Sequence, residues 1–205
     1  MSTTPLIHVV EDDDSLRTAL LRLLSAGGFE SCGYPSAGDF LLDPPLERPG
    51  CLLLDVRLPG PSGLDLQAAL RRQGINLPIV FMTAYADLAS GVAAMKAGAV
   101  DFLIKPIERG PLFDAIGRAL VRDARERDAR QEVLCLRALL DALSPRELAV
   151  FRLASAGQRN KQIAAALGIA ERTVKLQRAR LMAKLGVDTP TELGRLAERL
   201  QRLTS

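Results

Sequence analysis

Five side chains able to do phosphate and metal chemistry stand at the ends of apolar runs within the first 105 residues of this 205-residue chain. Residues 6–10 lead to Glu11 and Asp12, residues 51–54 to Asp55, residues 77–82 to Thr83, and residues 100–104 to Lys105. Clustered carboxylates repel one another and need a cation. An all-oxygen set suits a hard divalent ion, Mg²⁺ or Mn²⁺, which takes one or two carboxylates together with phosphate oxygens. Phosphoryl transfer asks mostly for positioning and charge neutralisation, and a carboxylate can itself accept the group. In that scheme Asp55, central among the five, is the nucleophile. The ion, Lys105 and the Thr83 hydroxyl hold the phosphoryl oxygens. A single strand-end acid would merely cap the following turn, but capping does not call for three acids, a hydroxyl and a lysine.

Other phosphate chemistries fit less well. The chain has no G-x-x-x-x-G-K-[ST] loop. Arg57 stands where the second acid of a D-x-D phosphatase pair would be. The only histidine, His8, lies inside the first apolar run and reads as a packed residue.

The elements that must position these groups follow from periodicity. Strands are expected at 6–10, 29–34, 51–55, 77–83 and 100–104, each bounded by Gly, Pro or acidic residues. Helices are expected at 16–26, 36–42, 63–72 and 87–97, with Asp14 or Ser15 capping the first and Leu16, Leu20, Leu23 and Leu24 on its apolar face. Alternation of this kind calls for a parallel sheet covered on both faces. Ligand chemistry in such sheets sits at the carboxyl ends of the strands, where all five groups fall.

Composition bounds the rest. Apolar content is 48% and charged content 25%, as in a globular protein. No run of about 18 apolar residues exists, and residues 1–5 lack the basic start and apolar core of a signal peptide. Cys32, Cys51 and Cys135 have no metal-binding spacing and read as reduced thiols, so a cytoplasmic location without membrane contact is expected. Residues 1–121 carry 10 Lys+Arg against 14 Asp+Glu, whereas residues 144–205 carry 12 against 5. A basic final third points to an anionic partner, nucleic acid above all.

That third is helical by its punctuation. Ser144, Pro145 and Glu147 form a capping-box start. Asn160 reads as the cap of a short helix, 161–167. Gly168-Ile169 is a tight turn, a third helix spans 171–185, and Thr189 with Pro190 opens a fourth whose apolar stripe is Leu193, Leu196, Leu200 and Leu203. Ile163, Ala164, Gly168, Ile169 and Val174 have helix-turn-helix spacing. The third helix is then expected to expose Arg172, Thr173, Lys175, Gln177, Arg178 and Arg180 to phosphates and base edges. Between the two parts, residues 112–143 contain no Pro and alternate in charge, which reads as one long helix. A flexible charged spacer is the alternative.

Residues 6–120 resemble the receiver domain of two-component response regulators. The resemblance rests on V-V-E-D-D at 9–13, L-L-D-V-R-L-P-G-P-S-G at 53–63, M-T-A at 82–84 and M-K-A-G-A-V-D-F-L-I-K-P at 95–106. It implies a flavodoxin-like α/β fold with a five-stranded parallel sheet and phosphorylation of Asp55 by a sensor histidine kinase. It also implies a divalent ion held by Glu11, Asp12, Asp55 and the Arg57 carbonyl, Thr83 and Lys105 on the phosphoryl group, and Phe102 as a ring that moves with Thr83. Glu11 and Phe102 stand where Asp and Tyr are commoner.

The final third resembles the LuxR-type DNA-binding domain of NarL/FixJ response regulators, through L-S-P-R-E at 143–147, N-K-Q-I-A at 160–164, R-T-V-K at 172–175 and M-A-K-L-G at 182–186. This implies Lys161, Thr173, Lys175 and Arg178 at promoter DNA and a fourth helix that helps the domain pair. Gln177 stands where His is common. The expected organisation is a receiver at 1–121, a helical linker at 122–142 and an all-α helix-turn-helix domain at 143–205. The expected function is phosphorylation-linked dimerisation and transcriptional activation, with RNA polymerase a further partner and no catalysis beyond self-phosphorylation and slow autodephosphorylation. Two rivals are a phosphorylation-independent DNA-binding regulator with the receiver as a dimerisation scaffold, and a metal-dependent phosphatase.

Overall fold

The computed structural model describes residues 4–42, 48–84 and 95–204, with no side-chain description beyond Leu200. The expected helix at 87–97 lies for the most part outside the described residues. The chain divides into two compact units, Met1–Arg127 and Asp128–Ser205.

The first unit holds β1 (Leu6–Val10), α1 (Asp14–Ala26), β2 (Glu30–Tyr34), α2 (Ala37–Leu42), β3 (Gly50–Asp55), α3 (Gly63–Arg72), β4 (Ile79–Thr83) and β5 (Asp101–Ile104). The strands form one parallel sheet in the order β2-β1-β3-β4-β5. β3 is central and all six of its residues are buried. Its side chains alternate between faces. Cys51 and Leu53 join Ile7, Val80, Leu112 and Ile116 on one side, while Leu52 and Leu54 join Phe40, Leu66 and Phe81 on the other. Each such fully buried Leu stabilises the fold by about 1.5–3 kcal/mol relative to exposure, which is why an uninterrupted apolar run occupies this strand.

Register carries the chemistry to one edge. Val10 pairs with Leu54, so Glu11 comes level with Asp55. Asp55 pairs with Met82, so Thr83 follows one residue beyond. Thr83 pairs with Ile104, which brings Lys105 next to it. The Lys105-Pro106 bond is cis.

α1 begins two residues earlier than its periodicity suggests. Asp13, not Asp14 or Ser15, is the cap: its Oδ1 accepts the Ser15 and Leu16 amides at 2.8 and 2.9 Å. Asp13 is the residue with extended backbone, so only its side chain can turn back to those amides.

His8 is packed as expected, 1% exposed between the rings of Tyr34 and Phe40, with Nδ1 3.1 Å from the Tyr34 hydroxyl. Burial, aided by the Arg48 charge, lowers its pKa to about 4. The unfolded chain therefore binds the proton first as pH falls, and stability is lost between pH 6.5 and about 4. By about pH 5 the loss through this ring amounts to about 2 kcal/mol. A His8→Phe variant should lack that part of the slope in urea titrations of the first unit; an identical slope would rule out His8 as its source.

α4 (Arg109–Asp141) is one continuous helix of 33 residues. Its early turns belong to the first unit and its last turns to the second. The second unit adds α5 (Pro145–Ser155), α6 (Asn160–Leu167), α7 (Glu171–Leu185) and α8 (Pro190–Thr204). Leu136 and Leu143 pack with Val150, Ile163, Val174, Leu181, Leu193, Leu196 and Leu200 in its core. Ser144 and Glu147 form the expected capping box, and Lys184 of α7 reaches both the Glu147 carboxylate at 2.7 Å and the Ala142 carbonyl at 3.2 Å. The Lys184 and Ser144 hydrogen bonds hold the Glu147 pKa down at about 2. No described helix is long and apolar enough to cross a membrane.

Candidate functional site

The five groups at the strand ends converge. The Lys105 ammonium lies 2.5 Å from Asp55 Oδ2 and 2.8 Å from Glu11 Oε2. The other oxygen of Asp55 accepts the Arg57 amide at 3.0 Å, so both carboxylate oxygens are held. Asp55 is 5% exposed and Glu11 only 1%, whereas Asp12 is exposed. Burial raises the Glu11 pKa, and the neighbouring Asp55 charge adds to this against the pull of Lys105. Burial also works against the Lys105 charge, but the two carboxylates outweigh it and hold its pKa above the ordinary lysine value.

One ligand oxygen from each of Glu11, Asp12 and Asp55 can be chosen so that all lie within 4.8 Å of one another. Three carboxylates at this spacing, two of them buried with one lysine between them, fit a hard divalent cation such as Mg²⁺. Arg57 follows at the turn, with its N–H on Asp55.

Thr83 is 1% exposed and its hydroxyl donates to the Ala84 carbonyl at 3.2 Å. Phe102 is half-buried against the core face that holds Phe81. Two further contributors carry no clear sign in the sequence. Arg17 of α1 donates to the Glu11 carbonyl at 2.6 Å and so braces the acidic loop. Its position one turn into an amphipathic helix carries no signal of this. Asp123 of α4 accepts the Gly50 amide at the opposite end of β3. It reads in the sequence as one more member of an alternating charge run.

In the second unit, Gly168 ends α6 in the left-handed region at φ 65°, and no atom lies within 4 Å of where a Cβ would stand, so its role is conformational. Lys161, Arg172, Lys175 and Arg180 are exposed. Thr173, Gln177 and Arg178 are only half-buried and not fully exposed as the charge pattern suggests. The reason is helical spacing: Gln177 and Arg178 lie three and four residues beyond buried Val174 and ahead of buried Leu181, on the inner face of α7. The outward face carries Leu176 instead, an apolar residue 52% exposed among the charges. Asn160 is likewise not a cap but the first helical residue of α6, and its Oδ1 accepts Arg178 Nη1 at 2.9 Å. The amide of Arg159 before it is satisfied by Gln162.

Known proteins match both units. The response regulator receiver domain family matches residues 7–117, and the family of bacterial regulatory proteins of the luxR type matches residues 141–197. Nodulation protein W of Bradyrhizobium diazoefficiens is 45% identical over 97% of this chain and 88% of its own length. The solved structure of the response regulator StyR is 44% identical, with a TM-score of 0.89 over 96% of this chain and all of that one. Full-length FixJ from B. japonicum is 36% identical with a TM-score of 0.60, covering 98% of both chains. The strand-edge acids and the helix-turn-helix thus lie in one chain whose relatives carry both parts, and it belongs to the NarL/FixJ-type response regulators, transcription regulators that join a receiver domain to a LuxR-type DNA-binding domain.

Proposed function

We propose that a sensor histidine kinase transfers a phosphoryl group to Asp55, and that the phosphorylated chain pairs with a second copy, binds promoter DNA and activates transcription. The observation that carries this reading is the meeting of Asp55 with Glu11, Asp12, Thr83 and Lys105 at one sheet edge. A divalent ion held by Glu11, Asp12, Asp55 and the Arg57 carbonyl supplies charge neutralisation for the transfer. The Arg57 amide steadies one oxygen of Asp55 while the other attacks. Lys105 trades its carboxylate partners for a phosphoryl oxygen, and the Thr83 hydroxyl trades the Ala84 carbonyl for another. The new group adds about 1.5 to 2 negative charges at neutral pH. Movement of Thr83 toward it opens space for Phe102, which remodels the β5 edge as a pairing surface. A near-complete switch requires about a 10⁴-fold preference for one state.

Pairing brings two α7 helices to one duplex. Lys161, Arg172, Thr173, Lys175, Gln177 and Arg178 then meet phosphates and base edges. The chain acts in the cytoplasm, with RNA polymerase as its downstream partner, and its chemistry is confined to its own aspartate.

Acetyl phosphate with Mg²⁺ tests the reading. The full chain is expected to shift from monomer to dimer in sedimentation velocity and to bind a duplex selected from a random pool more tightly. Equal mass and equal binding with and without the donor would favour a phosphorylation-independent regulator.

A further inference from the structure

We infer that Asn160 is a positioning residue for Arg178, and that the pair acts on the DNA backbone rather than on base edges. The inference rests on the reading of Arg178 as a DNA contact. Arg178 lies on the inner face of α7, in line with buried Val174 and Leu181, so its side chain runs along the flank of the helix and not out from its crest. The crest is occupied by Arg172, Lys175 and Leu176. The Arg178 guanidinium ends 2.9 Å from Asn160 Oδ1, at the first turn of α6, eighteen residues earlier in the chain. The crossing of the two helix-turn-helix helices therefore fixes where this charge stands.

A guanidinium has five N–H donors in a planar fork. One bond to Asn160 leaves donors on Nε and Nη2, and the fork matches the oxygens of a phosphate. Asn160 is neutral, so it orients the arginine without cancelling its charge. An Asp at this position would have cancelled it. The flanking Lys161 is exposed on the same helix turn. Holding a long, flexible side chain in place before binding removes an ordering cost that is worth about fivefold in affinity.

A double-mutant cycle on the full chain tests this, with a duplex of mixed random sequence as the probe and dissociation constants taken across a range of salt. Arg178→Ala is expected to weaken binding and lower the salt slope by about one, as for one lost phosphate contact. Asn160→Ala is expected to weaken binding about fivefold with the salt slope unchanged, because the charge remains. The double variant should bind like Arg178→Ala alone, since Asn160 has nothing left to position. Circular dichroism and the thermal midpoint of the second unit should match wild type, as Ala suits the first turn of a helix. If the two losses add, or if Asn160→Ala binds like wild type, the positioning role is wrong while Arg178 stands as a DNA contact. If Arg178→Ala itself leaves affinity and slope unchanged, the underlying reading falls with it.

Discussion

Asp55→Ala is expected to abolish labelling of the chain by acetyl phosphate, with no residual incorporation above background. The neighbouring acids cannot substitute. Glu11 is 1% exposed, so its carboxylate is the harder one to reach. Asp12 is exposed and lies beyond the end of β1, without the Arg57 amide and Lys105 ammonium that hold both oxygens of Asp55. The fold should survive the change. Asp55 contributes repulsion that raises the Glu11 pKa, and removing it leaves Lys105 paired with Glu11 alone at 2.8 Å. One buried carboxylate facing one lysine is the better balanced state, so the thermal midpoint of the first unit should not fall. Asp55→Asn is a second test, because it keeps an oxygen for the Arg57 amide and changes only the nucleophile. Labelling retained in either variant would remove Asp55 as the acceptor. Loss of labelling together with loss of the folded state would be answered by the Asn variant.

Asp123→Ala is expected to destabilise the first unit by about 2–3 kcal/mol, although the residue is far from the acidic site. Its carboxylate is 1% exposed and accepts the Gly50 amide at 3.0 Å and Arg127 Nε at 2.8 Å, while Arg127 Nη2 donates to the Arg48 carbonyl at 2.5 Å. Removal leaves the first amide of β3 buried without an acceptor, which costs about 1–3 kcal/mol, and takes one partner from the Arg127 guanidinium. Part of that is returned, because Asp123 Oδ1 is itself buried without a hydrogen-bond partner among the described residues. Asp123→Asn keeps an acceptor for Gly50 and should lose about half as much. The midpoint of the first thermal transition should fall by about 8 °C in the Ala variant. A change below about 0.5 kcal/mol, the size of an ordinary surface substitution, would show that α4 is not anchored to β3 through this carboxylate.

Much of the first unit is legible in the sequence because its information is local. The apolar run before Asp55 is a buried central strand, and such a strand must be apolar on both faces. The expected bounds, 51–55, fall within a residue of the observed strand, Gly50–Asp55. The convergence of Glu11, Asp55, Thr83 and Lys105 is also legible, since parallel strands share one carboxyl edge whatever their exact register. In the second unit the capping box at Ser144 and the left-handed turn at Gly168 are single-residue requirements of the backbone. The continuous helix of α4 follows from the absence of Pro beyond Pro111, which sits in its first turn, and from its alternating charge.

What periodicity does not supply is the partner of each polar side chain. Asp123 and Asp128 look alike in an alternating charge run, but one is buried beneath β3 and the other exposed. Arg178 looks like Arg180, yet it lies in line with Val174 and Leu181 and is bound to Asn160. Asp13 rather than Asp14 caps α1 because a cap depends on one residue's backbone angles, which a run of three aspartates does not reveal. The sequence by itself determined the two folds, the strand edge that gathers the acids and the basic helix-turn-helix, because these rest on burial patterns and backbone chemistry repeated along the chain. Only the tertiary structure decided that Lys105 bridges Glu11 and Asp55, that Arg17 braces the Glu11 loop and that Asn160 holds Arg178. Each of these is a single contact between residues brought together by packing, and a side chain's charge alone does not say which of several neighbours it will meet.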